Sequence, residues 1–341
     1  MDLQKVVVDI QKKIGFSGSV LVENKNKILI NESFGFANRS DQLRNTAETR
    51  FGIASGCKLF TAIAICQLVE IGKLSLDSRV RECLKFPLPY MEEKITVHHL
   101  LTHTSGIADY FDESEMDDFE ELWIKQPMYH LRNIQDFLPL FQNKPMKAEV
   151  GRSFHYNNAG YILLGLMVEE ISGISFCEYI EKNIFHKAGM KNSGYFSFDT
   201  LPRNTALGYI DQQDGTWRTN IYSLPVRGGS DGGAFVTASD MAKLWDALWN
   251  NLLLSDKMTK KLLQPHVKTN NDSFYGYGLW IKNNGEKTIK YHVMGYDPGV
   301  SFHSAYYPEK DIKTVVCSNK SEGAFEIYAG IEESLVFGRD N

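Results

Sequence analysis

The sequence lacks any run of about 18 apolar residues, so no segment reads as a membrane-spanning helix. It has no C-x-x-C pair and no Cys/His cluster, so no zinc or other metal is implied, and no cofactor either. Its five cysteines (Cys57, Cys66, Cys83, Cys177, Cys317) are odd in number and widely spaced, which argues against a complete disulfide framework. Cys66 and Cys317 lie in apolar runs and read as buried small hydrophobes. No Lys/Arg-rich run stands out and the net charge is −5, so nucleic acid is not an expected partner. Internal repeats and low-complexity tracts are absent. The first residues, MDLQKVVVDIQKKIGF, carry charges throughout and lack the apolar centre and cleavage site of a signal peptide. They read as a short amphipathic helix, with a cytoplasmic location as the default expectation. A chain whose leader had been removed would look the same.

What is present describes an ordinary globular protein, with 43% hydrophobic and 23% charged residues. At 341 residues it is longer than one simple core usually grows, which favours two lobes. The stretch FGIASGCKLFTAIAICQLVEI (51–71) opens with a turn and runs into a helix apolar on nearly every side, the mark of a helix inside a fold. At its mouth, Ser55 and Lys58 are three apart and share one helical face. A hydroxyl there gains from the positive potential of the helix start, and a neighbouring amine can take its proton. A bare S-x-x-K is expected about once by chance in a chain this long, and Ser is a common N-cap, so the pair alone is a weak signal.

Around this helix, Gly18–Glu23 and Lys27–Phe34 flank the polar turn Asn24-Lys25-Asn26 and read as a hairpin. Gly72 is suited to end the central helix. From Lys73 to about residue 224 helices and loops dominate. Within them, Asp109–Trp123 (DYFDESEMDDFEELW) reads as an exposed acidic cap or loop. Phe154–Ser172 is a second apolar helix opened by polar groups. GGSDGGAFVTASDMAKLWDALWN (228–250) reads as a glycine-rich turn, a short strand and a helix capped by Ser239 or Asp240. Strands are expected at Tyr277–Lys282, Thr288–Met294, Val300–Tyr307 and Ile312–Ser318, then a helix over about 323–336. Hairpin and late strands suit one antiparallel sheet with its two ends covered by the first and last helices. The α+β arrangement then comprises an α/β lobe from 1–72 and 225–341 and a mostly helical lobe from 73–224.

Ser55-Gly56-Cys57-Lys58, followed by Tyr156-Asn157-Asn158, resembles the serine β-lactamase and penicillin-binding protein family in its class C and D-alanyl-D-alanine carboxypeptidase branch. GKLSLD (72–77), ITVHHLLTHTSGI (95–107), GGAFVTASDMA (232–242) and YGYGLWI (275–281) support it in the same order. The resemblance runs from about residue 15 to the end. It implies the β-lactamase/transpeptidase-like fold, an antiparallel sheet flanked by helices beside a helical lobe, with an active site in the groove between. It also implies that Ser55 becomes acylated, that Lys58 and Tyr156 move its proton, and that Asn158 orients Lys58 and the substrate amide. His99 and His103 fit HLLTHTSG and read as structural, and Cys57 reads as packing.

One motif departs from the family. A strand facing the serine usually carries K-T-G or H-x-G, with P-G shortly after; here, anchored on Gly295 and Pro298-Gly299, it reads Val293-Met294-Gly295. The cation that grips a substrate carboxylate is missing. His292 is one residue early and would face the right way only through a β-bulge, and Arg227 is a second candidate replacement. The oxyanion hole needs only backbone N–H groups, expected from Ser55 and Tyr296. The resulting expectation is a serine hydrolase or acyltransferase acting on a small molecule or short peptide, β-lactams included. A D-Ala-type peptidase is the most direct reading. An esterase or amidase on neutral substrates, or a weakly catalytic binding protein, are the alternatives. A β-lactamase is disfavoured, since nothing identifies a group activating deacylating water. Oligomeric state is not legible.

Overall fold

Val300–Tyr307 and Ile312–Ser318 are buried at every position, so both of their faces must be covered. They are central strands of an eight-stranded sheet, in a computed structural model that describes residues 3–25 and 27–337. In chain order the strands are β1 (Gly18–Asn24), β2 (Lys27–Phe34), β3 (Val267–Lys268), β4 (Ser273–Tyr275), β5 (Trp280–Asn284), β6 (Lys287–Asp297), β7 (Val300–Tyr307) and β8 (Ile312–Ser318). Across the sheet they run β2-β1-β8-β7-β6-β5-β4-β3, each neighbour antiparallel to the next. Hairpin and late strands thus share one sheet, as expected; Asn26 of the expected turn lies outside the described residues. The strand expected from Tyr277 begins at Trp280, because Gly278 at φ +74 turns the chain first.

Five longer helices organise the rest: α1 (Leu3–Ile14), α2 (Lys58–Glu70), α3 (Asn158–Ser172), α4 (Ala238–Trp249) and α5 (Ala324–Glu332). Val20, Val22, Ala305, Tyr307 and Val316 meet Val7, Ile327 and Ile331 of α1 and α5. Their sequence neighbours Leu21, Tyr306, Val315 and Cys317 turn instead to the large core that contains α2, α3 and α4. This is the period-two alternation of a strand buried on both sides. The first and last helices therefore lie side by side over one face, where coverage of the sheet's two ends was expected. Each has a single apolar stripe, and a face offers that stripe more area than an edge.

Helix α2 is the centre of the second core. Every residue from Lys58 to Leu68 is buried, and the helix stops where Gly72 takes φ +71. Ahead of it, Phe51–Gly52 pairs with Phe235–Val236, tying its start to the segment before α4. The cap of α4 is Thr237, whose Oγ1 accepts the Asp240 N–H at 3.1 Å, in place of the expected Ser239 or Asp240. Asp240 is used elsewhere, accepting the Asn192 N–H at 2.7 Å.

Gly278 is where the sheet side approaches α2 most closely. A Cβ there would lie 2.6 Å from the Lys58 carbonyl oxygen and 2.7 Å from the Ala62 Cβ. Gly285 also has positive φ, +61, but a Cβ there meets nothing within 4 Å. Both substitutions by Ala carry the left-handed backbone penalty. Gly278→Ala alone adds overpacking, typically about 1–3 kcal/mol. Urea unfolding should show Gly278→Ala less stable than Gly285→Ala by that margin; equal midpoints would contradict the close packing.

Candidate active site

The chain leaves Phe51–Gly52, turns through Ala54 at φ +44 and enters the one-turn helix Ala54–Cys57 that leads into α2. A left-handed non-glycine residue is costly and persists only where its surroundings enforce it. Here Ala54 is buried and its carbonyl accepts the Gly233 N–H at 3.3 Å. The turn leaves Ser55 at a corner, partly exposed, on the wall of a cleft.

Lys58 follows one turn later with 1% of its surface exposed. Its Nζ contacts Ser55 Oγ at 2.9 Å, Asn158 Oδ1 at 2.8 Å and the Asp231 carbonyl oxygen at 2.7 Å. The three partners come from α2's own entry, the start of α3 and the glycine-rich segment before α4. The spacing of three residues and the Y-x-N match thus predicted two of them, and Asp231 is an addition.

Asn158 is held in turn. Its Nδ2 donates to the Phe111 carbonyl oxygen at 3.2 Å and to Asp109 Oδ2 at 3.3 Å. Asp109 also accepts the backbone N–H groups of Asn158, Ala159 and Tyr110 at 2.6, 2.9 and 2.7 Å. It and Asn157, whose Oδ1 accepts the Gly160 N–H at 2.7 Å, together satisfy the open N-terminus of α3. Burial pushes the Asp109 carboxyl up to about 7, against the pull of those N–H groups. The Tyr110 hydroxyl donates to the Asp231 carboxylate, which burial also raises. The expectation of an exposed acidic loop is therefore corrected. Glu113, Asp117 and Asp118 are exposed, but Asp109 and Tyr110 are buried against Asn158 and Asp231, and Asp112 is buried against Ser114 and His155.

Tyr156 lies with its ring centroid 4.9 Å from Lys58 Nζ. Burial, and next the charge of Glu113, push its phenol well above the usual range, so it is protonated at neutral pH. His103 packs on it at 4.4 Å between centroids and accepts the Asn157 N–H at Nδ1, 3.0 Å away. Burial, then Lys58, keep His103 neutral. His99 forms a capping box with Thr96. Cys57 is buried with Sγ 3.8 Å from the Gly229 carbonyl oxygen, its thiol pushed up to about 12 by burial.

The third-motif strand is β6. At Gly295 a Cβ would collide with the Ile53 carbonyl oxygen and come within 2.8 Å of Ser55 N, so only glycine lets the strand lie against the Ser55 turn. Tyr296 lines the cleft, while its hydroxyl bonds His303. The pairing of β6 with β7 runs without a bulge from Tyr291 to Asp297. His292 is therefore placed with Lys290, which reaches Tyr328 and Glu332 of α5 at 2.6 Å each, and not with Gly295. It does not line the cleft, and the expectation that it binds substrate is corrected by this register. Arg227 is likewise turned away, its Nε donating to the Tyr195 carbonyl oxygen at 3.1 Å.

The cleft holds about 330 Å³ and includes Phe111, Phe119, Phe137, Phe198 and Phe235. Its carboxyl side chains are Glu113, Asp117, Asp118, Asp231 and Asp297, with no Lys, Arg or His among the described residues that line it. Asp109, Tyr110, Asp231 and Asp297 were missed by sequence reasoning. The one available signal was an acid inside the glycine cluster Gly228-Gly229-Ser230-Asp231-Gly232-Gly233, where a turn alone needs none.

Comparison with known proteins agrees with this geometry. A sequence profile described as Beta-lactamase matches residues 3–333. A crystal structure of a penicillin-binding protein from Bacillus halodurans is 59% identical, covering 96% of this chain and 99% of that one, with a TM-score of 0.92. Penicillin-binding protein 4* of Bacillus subtilis (strain 168) is 29% identical, covering 99% of this chain and 76% of its own length. Teichoic acid D-alanine hydrolase of Staphylococcus aureus (strain MRSA252) is 23% identical over 78% of this chain and 63% of its own.

Burial pushes the Asp297 carboxyl up to about 8, with the nearby Asp231 charge adding to it. An unfolded Asp titrates at about 3.9. Between about pH 4 and about pH 8 the folded state then holds more protons than the unfolded one, so these carboxyls make stability fall as pH rises. Asp297→Asn should therefore gain stability relative to wild type as pH rises through that window, read as urea midpoints at each pH. A constant difference between the two proteins would refute the raised carboxyl.

Proposed function

The chain belongs to the Beta-lactamase family, and we propose that within it Ser55 is the nucleophile of an acyl-enzyme hydrolase acting on small esters or amides. The observation that carries this is the 2.9 Å contact of Lys58 Nζ with Ser55 Oγ inside a buried network. Asn158 Oδ1 and the Asp231 carbonyl oxygen hold two of the amine's positions and the third meets the Ser55 hydroxyl, so the position from which a base takes the Ser55 proton is already directed at it.

In the first step the Ser55 Oγ–carbonyl carbon bond forms and the hydroxyl proton passes to Lys58. The oxyanion is met by the N–H of Ser55, at a helix start with no intrahelical partner, and by that of Tyr296, next to Gly295, whose missing Cβ lets the strand lie against the Ser55 turn. Collapse breaks the bond to the leaving group, which takes the proton back from Lys58, with the protonated Tyr156 as relay. Water then attacks the ester on Ser55, releasing the acid and restoring the hydroxyl.

A second reading, acylation by penicillin, is favoured by the 59% identity to the protein named as penicillin-binding. Against it, nothing lining the described cleft offers a cation to a β-lactam carboxylate. D-alanine hydrolysis by the more distant relative supports an ester or amide without that carboxylate.

Intact-protein mass spectrometry after treatment with a fluorophosphonate should show one adduct on wild type and none on Ser55→Ala. With p-nitrophenyl propanoate, Lys58→Ala should lower kcat/KM by about 10²–10⁴-fold. Absence of both the adduct and the turnover would end the hydrolase reading. A lasting single adduct with penicillin on Ser55 would favour the second.

A further inference from the structure

Asp297 has no role in the chemistry just described, yet it occupies a privileged place. It ends β6, two residues beyond Gly295, and strand alternation puts both on the face that meets the Ser55 turn. Two residues along a strand span about 7 Å, and Ser55 and Asp297 line the same cleft.

Its structural explanation fails on inspection. In an Asp-Pro-Gly turn the carboxylate ordinarily accepts a backbone N–H two residues on. Here the Gly299 N–H donates to Ser321 Oγ at 2.9 Å, and Pro298 has no N–H to offer. Among the described residues the Asp297 carboxylate has neither a hydrogen-bond nor an ion-pair partner, although it lines the cleft. The Lys58 amine has its three positions taken by Ser55, Asn158 and Asp231 and offers none to Asp297. Asp231 and Glu113 add charge of the same sign as Asp297. Glu113 and Asp117 stand unpaired on the cleft's rim. A substrate that brings a carboxylate meets repulsion throughout, and one that brings an ammonium supplies the missing counter-charge.

Resting on the acyl-enzyme reading above, we infer that Asp297 receives a free α-ammonium on the acyl part of the substrate, so that the enzyme acts on aminoacyl esters or amides. The α-nitrogen is two bonds from the carbonyl carbon that Ser55 attacks, so it enters the cleft that Ser55 and Asp297 both line. Acylating groups whose amine is blocked, or replaced by hydrogen, lose this contact. Asp297 is thus a specificity residue, distinct from the proton-moving set of Ser55, Lys58 and Tyr156.

The test compares D-alanyl, L-alanyl, N-acetyl-D-alanyl and propanoyl p-nitroanilides at pH 7 on wild type, Asp297→Asn and Asp297→Glu. The wild type should favour at least one free-amine substrate over propanoyl by tenfold or more in kcat/KM, and reject the N-acetyl compound. That ratio should fall at least tenfold in Asp297→Asn and be largely kept in Asp297→Glu, which retains the charge. A wild type with no preference for the amine overturns the inference while leaving the hydrolase reading intact. A preference that persists in Asp297→Asn overturns the role of Asp297. If no anilide is turned over the inference also falls, and the fluorophosphonate adduct on Ser55 then shows whether the hydrolase reading falls with it.

Discussion

The structure depends on one buried amine. Lys58 is almost wholly enclosed, and an enclosed amine without partners is not tolerated in a folded protein. Its partners are drawn from positions 3, 100 and 173 residues away in the chain. Satisfying it therefore fixes the start of α3 and the glycine-rich segment against the mouth of α2. Each partner has its own support. Asp109 holds Asn158, and Tyr110 holds the side chain of Asp231. The same contacts that make the amine structurally acceptable hold it against Ser55, so on the proposed reading stability and activation of Ser55 cannot be separated at this point.

Much of this was legible in the order of residues because it obeys local rules. An all-round apolar helix with Ser and Lys three apart announces a central helix with chemistry at its mouth, and alternation finds β1, β2, β7 and β8. What escaped was tertiary. Asp109 looks like any acid in an acidic stretch, and only the three-dimensional meeting of that stretch with the N-terminus of α3 makes it a buried cap. Asp240 has the composition of a cap but is taken by Asn192, leaving Thr237 to do the work. The placement of α1 and α5 on one face follows from their packing on each other, which no single-helix pattern contains.

His292 shows what register decides. A single bulge would have turned it towards Ser55; the unbroken pairing from Tyr291 to Asp297 turns it towards α5. Val293, in the position that a cation holds in the family pattern, faces the large core with 2% exposure. The loss of the cation is thus absorbed by packing, and no neighbouring side chain has moved in to replace it. Gly295 is retained for a different reason, since its lack of a Cβ is what brings the strand against the Ser55 turn.

Removing a cation from a cleft changes more than one contact. With Lys58 committed behind Ser55, the carboxyls that line the substrate side are those of Asp231, Asp297 and the acids on the rim, with no Lys, Arg or His beside them among the described residues. Burial and mutual repulsion hold Asp297 near about 8, close enough to neutrality that a bound cation can shift it to the charged form. Such a carboxyl costs little when the cleft is empty and attracts strongly when an ammonium arrives. On the proposed reading, Ser55, Lys58 and Tyr156 move the proton, while substrate selection falls to the side chain that ends the strand carrying Val293.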